Sequence, residues 1–490
     1  MKGNRYLLSQ LLKLAFQALL YILIFRAFYL LLGINNPQLL NPSRTAVITP
    51  VTYFVILLLL TYVYGGYDLG QRKARSVCAS VVVAVFISDV VAYLALQIMN
   101  VNPANNQTLM LGGEDLLLLF AAMVLQSLFI YLFVAFGYYL YNKINPPQRC
   151  CIVTSSQELA NHVADKMSTF RQRYRLCDVS HYECPDVYDT ILRHEVVFLA
   201  GIPDTEQALL QSFCYKNGKS IYVLAEVEDV IIFSARQNII DDTPFLFVPP
   251  FEMTLMQRFV KRASDIVLSV LCLLVCSPIM LVAAGFIFFA RNGPIFFKQK
   301  RATLGGRVFE IIKFRTMYVE SGETELPTGS ATMGDKRITP VGRVLRKFRI
   351  DELPQLFNIL KGDMSFVGPR PEMLENVDKY TQEVPEFAYR QQMKAGLTGL
   401  AQIDGKYNTT PQDKVILDLL YIETFSILLD IKLLLRTLTV FFRKDSTEGF
   451  ASGKQKREYR KMRTVPAPIP VEAGAPPPPT DTDAPIRSVS

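Results

Sequence analysis

Four long apolar segments, residues 10–34, 46–65, 77–99 and 117–141, fill the first third of this 490-residue chain and constrain its fold more than any other feature. Each is long enough to cross a bilayer core, for which about 20 apolar residues suffice. The first lacks the small-residue cleavage site of a secretory signal and is followed by three similar segments, so none reads as a removable leader. Loop charge orients them, because Lys and Arg stay on the cytoplasmic side. Lys2, Arg5 and Lys13 lie before or at the start of the first segment. Arg72, Lys73 and Arg75 fill the loop after the second, and Lys143 and Arg149 follow the fourth. The loop after the third, NVNPANNQTLMLGGEDL, has neither Lys nor Arg. A four-helix transmembrane bundle over residues 1–145 with both ends cytoplasmic is the expectation.

The eight cysteines show no C-x-x-C pairs at zinc spacing, which fits a reduced, metal-free compartment. Cys272 and Cys276 lie four apart in an apolar run and read as packing. A net charge of +8 suits anionic headgroups as well as nucleic acid, but no aromatic-interleaved basic stripe supports a nucleic-acid partner.

In the module over residues 146–250, a PPQRC linker comes first and residues 149–250 then alternate short apolar runs with amphipathic stretches. CCIVT, EVVFLA, SIYVLAE and FLFVPP read as strands of a small parallel α/β module. No G-x-G-x-x-G follows the first strand, and in the NGKS stretch Phe213 stands where a P-loop needs glycine. The module therefore reads as structural or regulatory, and His162, His181 and His194, all within it, as surface or packing residues.

A fifth apolar stretch, residues 266–290, has Lys261 and Arg262 before it and Arg291, Lys298, Lys300 and Arg301 after it. Cations on both flanks favour a helix that enters the membrane, bends at Ser277–Pro278 and returns, since proline removes an internal hydrogen bond. A kinked spanning helix is the alternative and would place all that follows outside the cell. Later, YIETFSILLDIKLLLRTLTVFFRK is apolar but interrupted by Asp430, Lys432, Arg436 and Arg443, the pattern of an interfacial helix. Residues 451–490 are basic and then Pro-rich, a composition expected to be disordered.

Between these elements the stretch FRIDELPQLFNILKGDMSFVGPRP holds an adjacent acid pair, Asp351 and Glu352, among Arg346, Lys347, Arg349, Lys361 and Arg370. Leu353, Leu356, Phe357 and Leu360 recur at helical spacing after the pair, with Gly362 as a stop. Acids at a helix start are ordinary capping and dipole partners. Here the neighbours point further. Arg370 lies in a Gly- and Pro-restricted turn, and Arg301, Lys313 and Arg315 lie around a strand upstream. With no histidine after residue 194, carboxylate, cations and Mg²⁺ are the chemistry that remains, which is phosphoryl-transfer equipment.

The runs KRASDIVLSV, GPIFFKQKR, KFRTM, DKRITPVGRVLR, DELPQLFNILKGDMSFVGPRPEM and GLTGLAQIDGKYN resemble the monotopic phosphoglycosyl transferases. These are bacterial polyprenyl-phosphate hexose-1-phosphate transferases, and the resemblance covers about residues 255–445. It implies a fold of three parts: a four-helix transmembrane bundle, a Rossmann-like α/β module, and an α+β catalytic domain over 251–450. That domain would carry a re-entrant membrane helix (264–291, broken at Ser277 and Pro278) and interfacial amphipathic helices. It implies Asp351 as nucleophile toward a UDP-sugar, Glu352 completing the dyad, and both acids as Mg²⁺ ligands. Arg346 and Arg370 match phosphate-binding positions, to which Arg301, Lys313, Arg315 and Lys406 are added. Polyprenyl phosphate in the bacterial inner membrane is the implied acceptor, glucose or galactose the implied sugar, and a homodimer and downstream glycosyltransferases the implied partners. Two positions depart from the family pattern: Thr303 replaces a glycine, and Lys406 replaces an arginine. A polytopic transferase would need more spans, and a degenerate scaffold is the rival from another class.

Overall fold

The four apolar segments form the helices α1 (Lys2–Leu32), α2 (Arg44–Val63), α3 (Ala74–Asn100) and α4 (Gly113–Ile144). The computed structural model describes residues 2–67, 69–70, 72–100, 113–290, 293–318, 335, 337–405, 409–440 and 462. The four helices share a core to which α1 gives Ile24 and Phe28, α2 Tyr53 and Leu57, α3 Leu96 and α4 Ile130. Their burial pattern runs opposite to that of a water-soluble bundle. Leu58, Leu59, Leu117 and Phe120 face outward, while Thr49, Asp89 and Gln126 are fully buried. Among the described residues five helices are long and apolar enough to cross a membrane, these four and one beginning at Leu255.

Pro147–Leu224 lie in a separate compact unit. Strands β1 (Gln148–Thr154), β2 (Tyr174–His181), β3 (Val196–Ala200) and β4 (Ser220–Val223) pair in parallel in the order β2-β1-β3-β4. Helices α5 (Gln157–Ser168), α6 (Val187–Leu192) and α7 (Asp204–Lys216) connect them. Ser156 caps α5 by accepting from the Leu159 amide at 3.3 Å. Strand β2 escapes a hydropathy reading because YRLCDVSH is a half-exposed edge strand with no apolar run. FLFVPP does form a strand, but not of this sheet. After α8 (Val227–Phe233), β5 (Arg236–Ile240) and β6 (Thr243–Phe247) make an antiparallel hairpin, turned at Asp241 with φ 59° and exposed throughout.

Helix α9 (Leu255–Phe289) starts at a capping box between Thr254 and Gln257. The expected break does not interrupt it. Helical backbone continues through Pro278, and Ser277 Oγ donates to the Leu274 carbonyl at 2.9 Å. Its first half buries Lys261, Asp265 and Ser269, and its second half buries Met280, Ala283 and Ile287 against Phe314 and Leu345.

The remaining elements are a hairpin of β7 (Phe296–Ala302) and β8 (Val308–Phe314), α10 (Pro340–Lys347), a 3-10 turn at Ile350–Glu352, and α11 (Gln355–Lys361). They continue with β9 (Ser365–Val367), α12 (Leu374–Glu383), β10 (Gly396–Thr398), α13 (Leu400–Asp404), α14 (Pro411–Glu423) and α15 (Ile427–Val440). One core, including Phe309, Leu356, Ile359, Phe366, Tyr421 and Leu433, unites most of them, while α10 and the 3-10 turn pack on the second half of α9. Of the charges that suggested an interfacial helix, Asp430 and Arg436 have partners within the fold, Lys432 is half-buried, and Arg443 falls outside the described residues. Asp430 of α15 pairs with Lys261 at 2.5 Å and accepts from Tyr421 at 2.8 Å, and Arg436 pairs with Asp404.

Candidate active site

The acid pair sits in the 3-10 turn just ahead of α11 and not in its first turn, because Pro354 begins the helix proper. Arg349 enters that turn with φ 55°, a left-handed conformation that is costly for a side chain with a Cβ. Gly362 ends α11 at φ 99°, the stop expected from the sequence. Arg262 reaches from α9 to donate to the Ile359 and Leu360 carbonyls, both at 2.7 Å, so the exposed end of α11 is tied to α9. Asn358 fastens the other side, donating to the Glu310 carbonyl and accepting from the Ile312 amide of β8.

Cations converge on Glu352. Its Oε1 accepts from Lys313 Nζ at 3.2 Å and from Arg370 Nη2 at 3.0 Å, and its Oε2 lies 3.7 Å from Arg349 Nη1. Burial alone would push the Glu352 carboxyl up. The charges of Arg370, Lys313 and Arg349 outweigh it and hold the group well below the usual carboxylate range. Asp351 is placed otherwise. Among the described residues no cation lies within ion-pair distance of it, and burial, then the neighbouring Glu352 charge, push its carboxyl up, against the pull of Lys313 and Arg346. Two adjacent acids thus titrate apart, one locked as an anion and one left basic.

The Arg370 turn is held by its backbone. Arg390 donates to the Arg370 carbonyl at 3.0 Å and Arg301 to the Pro371 carbonyl at 3.3 Å. Arg390 is itself fixed by Asp418 at 2.6 Å, a pair with side-chain exposures of only 6% and 0%. Behind the turn, Gly368 packs on Gly396 so tightly that a Cβ on Gly396 would lie 2.1 Å from the Gly368 nitrogen. No other residue fits there.

Of the residues singled out from sequence, Asp351, Glu352, Lys313 and Arg370 gather in one cluster. Arg301 lies beside it, its guanidinium pushed down to about 10 by burial and by the Arg370 charge, with Nε buried and unbonded. Arg346 donates to Thr316 at 2.8 Å and acts on Asp351 through its charge. Arg315 instead bonds the Pro294 carbonyl and stacks over Phe297. Lys406 falls outside the described residues. Thr303 does not disturb the turn: its φ of −132° suits any residue, and its hydroxyl joins the Asp363 carbonyl to the Ala395 amide. The supports Lys261, Asp265, Arg390 and Asp418 were missed, since nothing local in the sequence marks a charge whose partner lies far along the chain. For Lys261 and Arg262 the nearby apolar run suggested a topological role, yet both are anchors to the catalytic core.

A carboxylate pair within a ring of cations, in a region with no histidine after residue 194, is an arrangement suited to handling phosphate groups. The family model for bacterial sugar transferases matches residues 256–444. Relatives include a UDP-glucose:undecaprenyl-phosphate glucose-1-phosphate transferase of Caulobacter vibrioides, 41% identical over 191 residues, which are 38% of this chain and 71% of that protein. A UDP-N-acetylgalactosamine-undecaprenyl-phosphate N-acetylgalactosaminephosphotransferase of Aeromonas hydrophila is 42% identical over 37% of this chain and 43% of its own length. A Klebsiella pneumoniae protein with the same name as the Caulobacter one is 37% identical over 45% and 48%. The chain thus spans less than half the length of the latter two. It belongs to the bacterial sugar transferases, the phosphoglycosyl transferase family, and is a transferase.

Proposed function

We propose that the protein transfers a hexose-1-phosphate from a UDP-sugar to undecaprenyl phosphate, through a sugar-phosphoryl intermediate on Asp351. The observation that carries this reading is the division of labour in the pair: three cations engage Glu352, and none is within ion-pair distance of Asp351 among the described residues. A nucleophile must be an anion whose lone pairs are not already committed. In the first step an Asp351 oxygen attacks the sugar-bearing phosphorus, the bond to UMP breaks, and UMP leaves with the electron pair. In the second an oxygen of the lipid phosphate attacks the same phosphorus and Asp351 departs as carboxylate. Lys313, Arg370 and Arg301 face the charge that grows on the phosphoryl oxygens, and such fixed cations act most strongly where water is sparse.

Mg²⁺ fits the donor set in one manner only. Glu352 Oε1 is taken by Lys313 and Arg370, which leaves Glu352 Oε2 and the Asp351 carboxyl. Mg²⁺ is commonly held by one or two carboxylates with substrate phosphates completing its shell. When bound it neutralises diphosphate charge.

The membrane arrangement follows the same logic. The outward apolar faces of α1 to α4 and the cation-rich loops support four spanning helices, with the catalytic region at the cytoplasmic face of the inner membrane. Both halves of α9 pack on one catalytic region, the first through Lys261, Arg262 and Asp265, the second through Met280, Ala283 and Ile287. That favours a helix that enters one leaflet and does not cross. Ile350 and Leu353, either side of the acid pair, pack against the apolar second half, and with that half in one leaflet Asp351 would lie at headgroup level beside the lipid phosphate. Names among the relatives favour glucose as the sugar, with N-acetylgalactosamine and galactose named once each. The product would start an exopolysaccharide, capsule or O-antigen, and downstream glycosyltransferases would extend it.

The test uses the full chain in nanodiscs with Mg²⁺, undecaprenyl phosphate and a panel of UDP-sugars. UMP should appear with one donor, depend on the lipid, and vanish in Asp351→Ala. Undiminished UMP release by that variant would remove the proposal.

A further inference from the structure

Gln126 of α4 is the point where all four N-terminal helices meet. Its Nε2 lies 3.0 Å from the Ile24 carbonyl of α1, 3.3 Å from the Tyr53 hydroxyl of α2 and 3.1 Å from Asp89 Oδ1 of α3. Asp89, Gln126 and Tyr53 are each 0% exposed. Two oxygens at this junction have no partner, Asp89 Oδ2 and Gln126 Oε1. Both are acceptors in the ionised state, and two buried acceptors cannot satisfy each other.

One proton resolves both vacancies. A neutral carboxyl has a carbonyl that accepts and a hydroxyl that donates, and an amide has the converse pair. With Gln126 Nε2 already donating to Oδ1, a hydrogen on Oδ2 would donate to Gln126 Oε1 and close a ring of two hydrogen bonds. We infer that Asp89 is a proton-binding site whose neutral acid closes this ring with Gln126. The charged alternative would have only the Gln126 amide and the Tyr53 hydroxyl to support it. The side chains placed against Asp89 are Tyr53 from α2 and Gln126 from α4, and Tyr53 is the one titratable group of the two. No cation pairs with Asp89 among the described residues, and an unpaired buried anion is strongly disfavoured. The bound proton thereby becomes the clasp of the helix junction.

A rival occupant is a monovalent cation such as sodium, held by Asp89 Oδ2 and Gln126 Oε1. The experiment separates them in the full chain in nanodiscs. Infrared spectra at neutral pH should show a protonated-carboxyl band that Asp89→Asn removes. Asparagine can form the same ring, its amide donating to Gln126 Oε1, so that variant should keep the parental melting temperature and UMP release. Asp89→Ala and Gln126→Leu should each lower the melting temperature by several degrees. Loss of folding in Asp89→Asn, absence of the band from the parent, or a melting temperature that rises with sodium only when Asp89 is present would each overturn the inference.

Discussion

Asp89 among the N-terminal helices and Glu352 in the catalytic region are both buried acids, and their surroundings are opposites. Asp89 meets an amide and a phenol, whereas Glu352 meets a lysine and two arginines. Nearby cations favour the charged form of a buried carboxyl, and no cation pairs with Asp89 among the described residues. The region around the acid pair extends this contrast into adjacent residues: Glu352 takes the cations, and Asp351 has none within ion-pair distance among the described residues. Lys261–Asp430 and Arg390–Asp418 show a further use of buried charge, in which the ion pair is structural.

Substitutions should divide along that line. The largest effect is expected at Asp351. Asp351→Asn should lower UMP release by about 10⁴-fold, as loss of a nucleophile does in covalent enzymes, with an unchanged melting temperature. Next come the cations, where a bond to substrate and a bond to protein should be distinguishable. Arg370→Ala should cost about 10²- to 10³-fold in turnover and little stability, because its partner is at the site. Arg390→Leu strands Asp418 and should cost about 3–5 kcal/mol of stability, read by chemical denaturation, with turnover falling only as folding does. Reversal of these two outcomes would erase the distinction between catalytic and structural cations.

The pH dependence sharpens it. The folded Glu352 carboxyl is depressed, so its ion pairs are complete above its ordinary unfolded value of about 4.3 and are lost only as pH falls through the lower folded value. The raised Asp351 carboxyl loses its charge first on acidification. The acid limb of kcat/KM should therefore lie above about 3.9, the ordinary aspartate value. Glu352→Gln should move that limb down in its residual activity, since it removes a neighbouring negative charge. A limb that stays put or rises would contradict the assignment. The smallest effect is expected at Thr303. Thr303→Gly removes a hydroxyl with two partners and should cost about 1–3 kcal/mol of stability by denaturant titration, with kcat unchanged.

Much of this was legible in the sequence because it is local. Apolar length gave the four N-terminal helices, Gly362 the end of α11, and the clustered charges around DELPQLFN the residues that meet at Glu352. What was not legible depends on distant partners. Asp430 reads as an interruption of an apolar helix until Lys261, 169 residues earlier, is seen beside it. Strand β2 has too little apolar character to stand out, and Arg315 lies as near the motif as Lys313 but turns to Phe297. Pro278 predicts a break on local grounds, yet the helical backbone continues through it.

The most direct test of the division between the two acids is to incubate the purified full chain with the UDP-sugar donor, without lipid acceptor, and to map the digested protein by mass spectrometry. A hexose-phosphate adduct on the peptide carrying Asp351, lost on addition of undecaprenyl phosphate and absent from Glu352, is the expected result. An adduct on Glu352, or none at all from protein that releases UMP once lipid is present, would contradict it.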